Sequence, residues 1–270
     1  MNYWKNTNTL DDLVPELQQT VAPAEAEIAV IGSKPIDLAQ FPRLKGLFKC
    51  GVGTDNVPFE ACARRNITVG LPSAVTADII YEETANFAIH LILGMLYADA
   101  GDLDAWIKHP RPLLRRRSVL VVGMGNIGRR VSAKLSPMAD VAGYDVTSHA
   151  AGELEPLVRR SEVVSLHVPL TDDTRNWFNA EKLAWMRDGA ALVNTARAAI
   201  VPEADLLKEV AGGRLRAAFD VFWQEPYYGP LRSYHPRRFC MTPHIASTCD
   251  DFLSGLASDL RAFAAGSRDA

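Results

Sequence analysis

The sequence predicts an α/β protein whose larger part is a doubly wound parallel sheet, accompanied by a second, smaller α/β unit. Three observations carry that expectation. From Ser118 onward, short apolar runs alternate with segments of helical period, as in strands joined by crossover helices. A glycine turn, Gly123-Met124-Gly125-Asn126-Ile127-Gly128, follows the first of these runs. Ahead of Ser118 lies a shorter α/β stretch that ends in a long apolar helix.

Taken in order, residues 9–19 have helical periodicity, and Glu27–Ile31 and Leu47–Cys50 read as short apolar strands. The second strand runs into the turn Gly51-Val52-Gly53-Thr54-Asp55-Asn56. Gly70-Leu71-Pro72 reads as a hinge. Tyr81–Tyr97 then forms a long helix, apolar nearly all round, which implies burial between layers or subunits. His90 within it is expected to be a satisfied core histidine or an interface residue. Strands follow at Ser118–Val122, Val141–Tyr144, Val163–His167, Ala190–Asn194, Ala217–Val221 and Phe239–Thr242, with a helix over Ile127–Leu135 after the first. A terminal helix, Asp250–Ala265, aligns Phe252, Leu253, Leu256, Leu260 and Phe263 on one face.

Composition bounds the function. The chain of 270 residues is 48% hydrophobic and 23% charged, ordinary globular usage, and its net charge of -3 gives no support for a polyanion-binding surface. The basic run Lys108–Arg117 is interrupted by two prolines and reads as a solvated connection, so no nucleic-acid partner is expected. Cys50, Cys62, Cys240 and Cys249 lack C-x-x-C spacing, so neither a metal site nor a disulfide framework is indicated. Residues 1–20 have no targeting pattern and Ala85–Ala98 is too short to span a bilayer. The expectation is a cytoplasmic protein without membrane contact.

The glycine turn has a definite physical task. Gly123 permits a tight turn, Gly125 lets the backbone approach a pyrophosphate, and Gly128 allows close packing of helix on strand, while the helix N-terminus attracts the anion. This is a Rossmann-type dinucleotide fingerprint, set between a strand and a helix, with Asp145 ending the next strand. Asp145 suits the ribose hydroxyls and repels a 2′-phosphate, favouring NAD (as NADH) over NADP; Arg129 and Arg130 leave room for dual specificity.

Three further segments place charged groups at the ends of successive strands: Asn194-Thr195-Ala196-Arg197, Asp220 to Pro226, and Thr242-Pro243-His244. Reduction of a 2-keto acid needs a cation to hold the carboxylate and polarise the carbonyl, and an acid to protonate the oxygen. Arg197 suits the first role through its planar fork. His244 suits the second, with Glu225 bonded to its far nitrogen.

At these residues the chain resembles the D-isomer-specific 2-hydroxyacid dehydrogenases, which include D-lactate, D-glycerate, D-3-phosphoglycerate and formate dehydrogenases. The resemblance runs from about Phe41 to Cys249 and rests on GVGTDN, GMGNIG, SLHVPLTDDTRNWFN, LVNTARAAIV, FDVFWQEP and TPHIAS. It implies Arg197, Glu225 and His244 as a catalytic trio, and Asp220 near the nicotinamide amide. It further implies that backbone amides of Val52 and Gly53 bind the substrate carboxylate, and that Asn126, Ile127, His167, Pro169 and Thr195 contact the cofactor. The implied architecture is a substrate domain from residues 1–74 plus 252–270 and an NAD-binding domain from 75–251. It also implies a homodimer built around the Tyr81–Tyr97 helix.

The chain also departs from the family pattern. It is expected to lack the first strand and helix of a flavodoxin-like substrate domain, which makes that domain truncated. Ala198 stands where the family has glycine, an expected source of strain beside Arg197. Ser33, Lys34 and Lys49 can either approach a phosphate or phosphonate tail or lie in solvent, and Val52 in place of lysine argues against phosphite oxidation. Two readings stay open: an NAD-dependent oxidoreductase for a small 2-hydroxy or 2-keto acid, or an NAD-binding regulatory or scaffold protein, or inactive paralogue, on the same fold.

Overall fold

The computed structural model describes residues 1–99, 101–102 and 104–266. The chain divides into two compact units, Met1–Ile80 with Ser247–Ala270, and Tyr81–Ala246. The first division falls inside a long helix rather than ahead of it.

The smaller unit holds a four-stranded parallel sheet in the order β1 (Tyr3–Lys5), β2 (Ile28–Ile31), β3 (Gly46–Lys49), β4 (Thr68–Gly70). Strands β2 and β3 are buried throughout, β2 as an unbroken apolar run and β3 including its terminal Lys49. Helix α1 (Phe59–Arg64) leads into β4. Residues 9–19 form turns and a 3-10 segment at Pro15–Gln18 instead of the expected helix, because Pro15 interrupts the helical ladder. The expectation of no strand before this segment is corrected by β1, which pairs in register with β2 through Tyr3 and Ile28.

Helix α2 spans Ala74–Leu96, beginning seven residues before the expected start at Tyr81. Ser73 caps it, its hydroxyl accepting the Thr76 N–H at 3.3 Å. By length and composition alone α2 is long enough to cross a bilayer, which corrects the view that this stretch is too short. Its stripe Ala85, Ala88, Leu91, Ile92, Met95 and Leu96 is buried with Val119, Val121 and Val193 of the larger sheet. The opposite stripe, Glu82, Asn86, His90 and Gly94, is exposed, so α2 is not covered all round and His90 is not a core residue.

In the larger unit a short hairpin, β5 (Gly101–Asp102) with β6 (Ile107–Lys108), precedes a six-stranded sheet. The sheet strands are β7 (Ser118–Val122), β8 (Asp140–Tyr144), β9 (Val163–Leu166), β10 (Ala191–Asn194), β11 (Arg216–Phe219) and β12 (Phe239–Met241), all parallel. Their order is β12-β11-β10-β9-β7-β8. The chain winds one way from β7 to β8 and then returns to β9 on the other side, so the switch point lies between β7 and β9. Helices α3 (Asn126–Leu135), α4 (Leu154–Arg160), α5 (Ala180–Trp185) and α6 (Glu203–Ala211) make the crossovers, each turning a few apolar residues such as Val131, Val158, Leu183 and Leu206 into the core.

The final helix, α7 (Asp250–Gly266), returns to the smaller unit, burying Phe252, Leu256 and Leu260. The ring of Phe263 fills the space over Gly46 and Gly70, where a β-carbon would lie 2.9 and 2.6 Å from it.

Candidate functional site

Two groups of expected site residues lie at the carboxyl ends of the larger sheet. The first surrounds the switch point. Gly123 follows β7 with a positive φ of 93°, and a β-carbon there would sit 2.7 Å from the His167 carbonyl at the end of β9. His167 N–H donates to the Val122 carbonyl at 2.7 Å, closing the two strand ends on each other. A β-carbon on Gly128 would meet the Gly123 carbonyl oxygen at 1.9 Å, whereas one on Gly125 would meet nothing within 4 Å. The turn is therefore closed behind Gly123 and Gly128 and open at Gly125, where α3 begins and presents its N–H groups.

Asn126 is exposed and Ile127 half-buried at the start of α3. Asp145 follows β8, and its carboxylate accepts from the Thr147 N–H (3.0 Å), the Thr147 hydroxyl (2.7 Å) and the Met124 N–H of the glycine turn (2.7 Å). These bonds, led by those from Thr147, hold it below the usual carboxylate range, so it is ionised at neutral pH. A carboxylate has about four acceptor positions, so room for a further donor remains.

The ring of His167 bonds Ser165 through Nε2 at 2.8 Å, and desolvation pushes its pKa down to about 4, leaving it neutral. Pro169 is exposed, its carbonyl accepting from the Thr174 hydroxyl at 2.6 Å. Thr195, just past β10, is 7% exposed, yet its buried hydroxyl has no partner. A buried hydroxyl in that state is costly unless a bound group satisfies it. The open Gly125 turn, the α3 N-terminus and this hydroxyl together fit a dinucleotide.

The second group follows β10, β11 and β12. Asn194 is fully buried; its side chain accepts the Ala196 N–H and donates to the Arg197 carbonyl, each at 2.9 Å, which folds the segment bearing Arg197. Arg197 is half-buried and donates to the Ala196 carbonyl at 2.8 Å. Ala198 starts a 3-10 turn, 3% exposed and without a positive φ, so the expected strain is not found.

Asp220, fully buried after β11, accepts from the Thr242 hydroxyl (2.7 Å), the Ile245 N–H (2.9 Å) and the Ala246 N–H (2.9 Å). Burial raises its pKa above the ordinary value, while these three bonds and the charge of His244 oppose that rise. Asp220 thus ties down both flanks of His244, whose backbone is left-handed, with a φ of 55°.

The Nδ1 of His244 lies 2.9 and 3.0 Å from the two carboxylate oxygens of Glu225. An ionised carboxylate only accepts, so Nδ1 carries the proton and Nε2 is the free end of the ring. Glu225 is itself held by the Phe222 N–H at 3.1 Å. The arrangement is a histidine oriented by a carboxylate, able to give or take a proton at Nε2. Asn194, Ser165 and Thr242 are supporting residues that sequence reasoning did not single out; only Asn194, a turn-forming residue just ahead of Arg197, carried a readable signal.

In the smaller unit, Val52 and Gly53 are half-buried in the loop after β3. Lys49 is neither in solvent nor reaching outward: it is 2% exposed and donates to the Gly32 carbonyl at 2.5 Å, which Asn56 also bonds at 2.8 Å. Ser33 and Lys34 are exposed.

A parallel doubly wound sheet with an open glycine turn at its switch point is the architecture of dinucleotide-binding proteins, and a histidine held by a carboxylate is an arrangement suited to general acid–base chemistry. Residues 98–246 match the family model described as D-isomer specific 2-hydroxyacid dehydrogenase, NAD binding domain, and the chain belongs to that family. It is 30% identical to a glycerate dehydrogenase of Methylorubrum extorquens over 97% of this chain and 88% of the relative. It is 32% identical to a glyoxylate reductase of Aeropyrum pernix over 78% of this chain and 69% of the relative. A D-isomer specific 2-hydroxyacid dehydrogenase of Xanthobacter autotrophicus Py2, solved with NADPH and MES, superimposes with a TM-score of 0.65 at 27% identity, covering 91% of this chain and 83% of the other. The chain therefore carries an NAD(P)-binding domain of a family that acts on small 2-keto and 2-hydroxy acids.

Proposed function

We propose that the protein is an NAD-dependent oxidoreductase that interconverts a small 2-keto acid and its D-2-hydroxy acid. The observation that carries this reading is the Glu225–His244 pair with its free Nε2, on the strand end next but one to that of Arg197. When bound, the nicotinamide supplies or accepts the hydride. Arg197 clamps the substrate carboxylate and polarises the carbonyl, its two parallel donors fixing the plane of the acid. His244 gives its Nε2 proton to the carbonyl oxygen during reduction, and Glu225 keeps the ring oriented and stabilises its charged form.

Gly123, Gly125, Asn126, Ile127 and Gly128 hold the pyrophosphate, and His167, Pro169, Thr195 and Asp220 line the rest of the nucleotide. Asp145, ionised and with acceptor capacity left, favours the free ribose hydroxyls of NAD over the 2′-phosphate of NADP. The test is NADH oxidation against a panel of 2-keto acids, including glyoxylate, hydroxypyruvate and pyruvate, in the parent and in His244→Ala. The variant should turn over about 10²–10⁴-fold more slowly and bind NADH unchanged. Absence of turnover in the parent, with NADH still bound, would move the protein to the regulatory or scaffold reading.

A further inference from the structure

Glu225 sits in the loop that leaves β11, between two aromatic residues anchored in different ways. On one side Trp223 stacks on Phe219, with centroids 5.8 Å apart, and its Nε1 donates to the Val201 carbonyl at 2.8 Å. On the other side the Tyr227 ring stacks on Phe222 at 5.0 Å, and Gly229 is pressed against it so closely that a β-carbon there would lie 2.5 Å from the ring. The Tyr227 hydroxyl donates to Oε1 of Glu203 at 2.6 Å and accepts the Leu231 N–H at 3.2 Å. Glu203 is the first residue of α6, a helix fixed in the core by Leu206 and Val210.

An apolar residue at 227 would fill the same volume. It would not define how far the loop slides along α6. The hydroxyl does, because one oxygen bonds the helix and the loop at once, and at 7% exposure neither bond can be exchanged for water cheaply. Glu225, two residues away, holds His244 with two nearly equal distances, a geometry sensitive to any slide.

We propose that Tyr227 and Glu203 are a positioning pair that fixes the Glu225 carboxylate against His244. This rests on the reading of Glu225 and His244 given above. Neither residue touches the reacting atoms; both act through Glu225.

The experiment uses the full chain and compares Tyr227→Phe, Glu203→Leu and Glu203→Gln with the parent. Ring ¹⁵N shifts of His244 report its tautomer, and steady-state kinetics with NADH and the best 2-keto acid report kcat and KM. Tyr227→Phe keeps the ring and its stacking on Phe222, and circular dichroism checks that the variant is folded. It and Glu203→Leu should move His244 away from the Nδ1–H form and lower kcat by about 10²-fold, with NADH affinity and KM little changed. Glu203→Gln, whose amide oxygen still accepts from Tyr227, should match the parent. An unchanged tautomer in Tyr227→Phe overturns the proposal whatever turnover does, as does a Glu203→Gln variant that behaves like Glu203→Leu. If the tautomer shifts as expected but His244→Ala turns over at the parent rate, the positioning role stands and the catalytic reading falls.

Discussion

Two glycines of one turn should respond oppositely to the same methyl group. At Gly128 an added β-carbon meets the Gly123 carbonyl oxygen at 1.9 Å, and real β-carbons essentially never come within 3.0 Å, so helix and turn must part by about 1.1 Å. Overpacking of that kind costs about 1–3 kcal/mol. At about 2–4 °C per kcal/mol for a domain of this size, Gly128→Ala should melt visibly lower and bind NADH poorly because the turn itself has moved. At Gly125 the backbone already has a φ of -75°, open to any L-residue, and the new carbon meets nothing within 4 Å. Loss of helix-end preference and gain from a stiffer unfolded chain then nearly offset, leaving stability within about 1 kcal/mol of the parent. The methyl group nevertheless occupies the space through which a pyrophosphate would reach the α3 N-terminus, so NADH affinity should fall by at least about tenfold. Differential scanning fluorimetry and NADH fluorescence titration read the two quantities separately. A Gly125→Ala protein that binds NADH as the parent does would refute the assignment of this turn to the pyrophosphate.

NADH should bind better than NADPH, and Asp145→Ala should narrow that preference, because the ribose hydroxyls lose an acceptor and a 2′-phosphate loses a repelling charge; a parent that prefers NADPH in paired titrations contradicts this. Arg197→Lys keeps the charge and loses the fork, so kcat/KM for the best 2-keto acid should fall strongly at near-constant NADH affinity, and equal values would remove Arg197 from the substrate clamp. His167 titrates at about 4 when folded, against an ordinary 6.5, so the unfolded chain takes up a proton that the native ring refuses. Its contribution to stability is complete above pH 6.5 and is lost as pH falls toward 4; melting temperatures measured across that window should drop less steeply in His167→Gln than in the parent.

The larger sheet was legible because its central strands β7, β9 and β10 are four- and five-residue, mostly apolar runs buried along nearly their whole length and bounded by turns, a pattern that the sequence marks. Strand β1 escaped because three half-buried residues, one of them lysine, carry no period, and only pairing with β2 makes them a strand. The segment over residues 9–19 misled in the other direction: apolar spacing suggested a helix, and Pro15 limited it to 3-10 turns. At the site, the charged residues could be read from their places after strands. What holds them could not. The bonds of Asp220 to Thr242, Ile245 and Ala246 and that of Tyr227 to Glu203 join positions about twenty-five residues apart or nearly so, and such pairings appear only once the strands are aligned.

The left-handed backbone of His244 sets the fold's preference against its chemistry. A non-glycine residue in that region forfeits roughly 1–2 kcal/mol, and glycine or asparagine would occupy it more comfortably. The Asp220 carboxylate restrains the neighbours on either side but leaves the side chain at 244 free to change. Selection for thermal robustness alone would therefore drift toward a sturdier variant without the Glu225–His244 pair proposed to carry the chemistry, so a stabilisation campaign on this scaffold needs turnover as a second criterion from its first round.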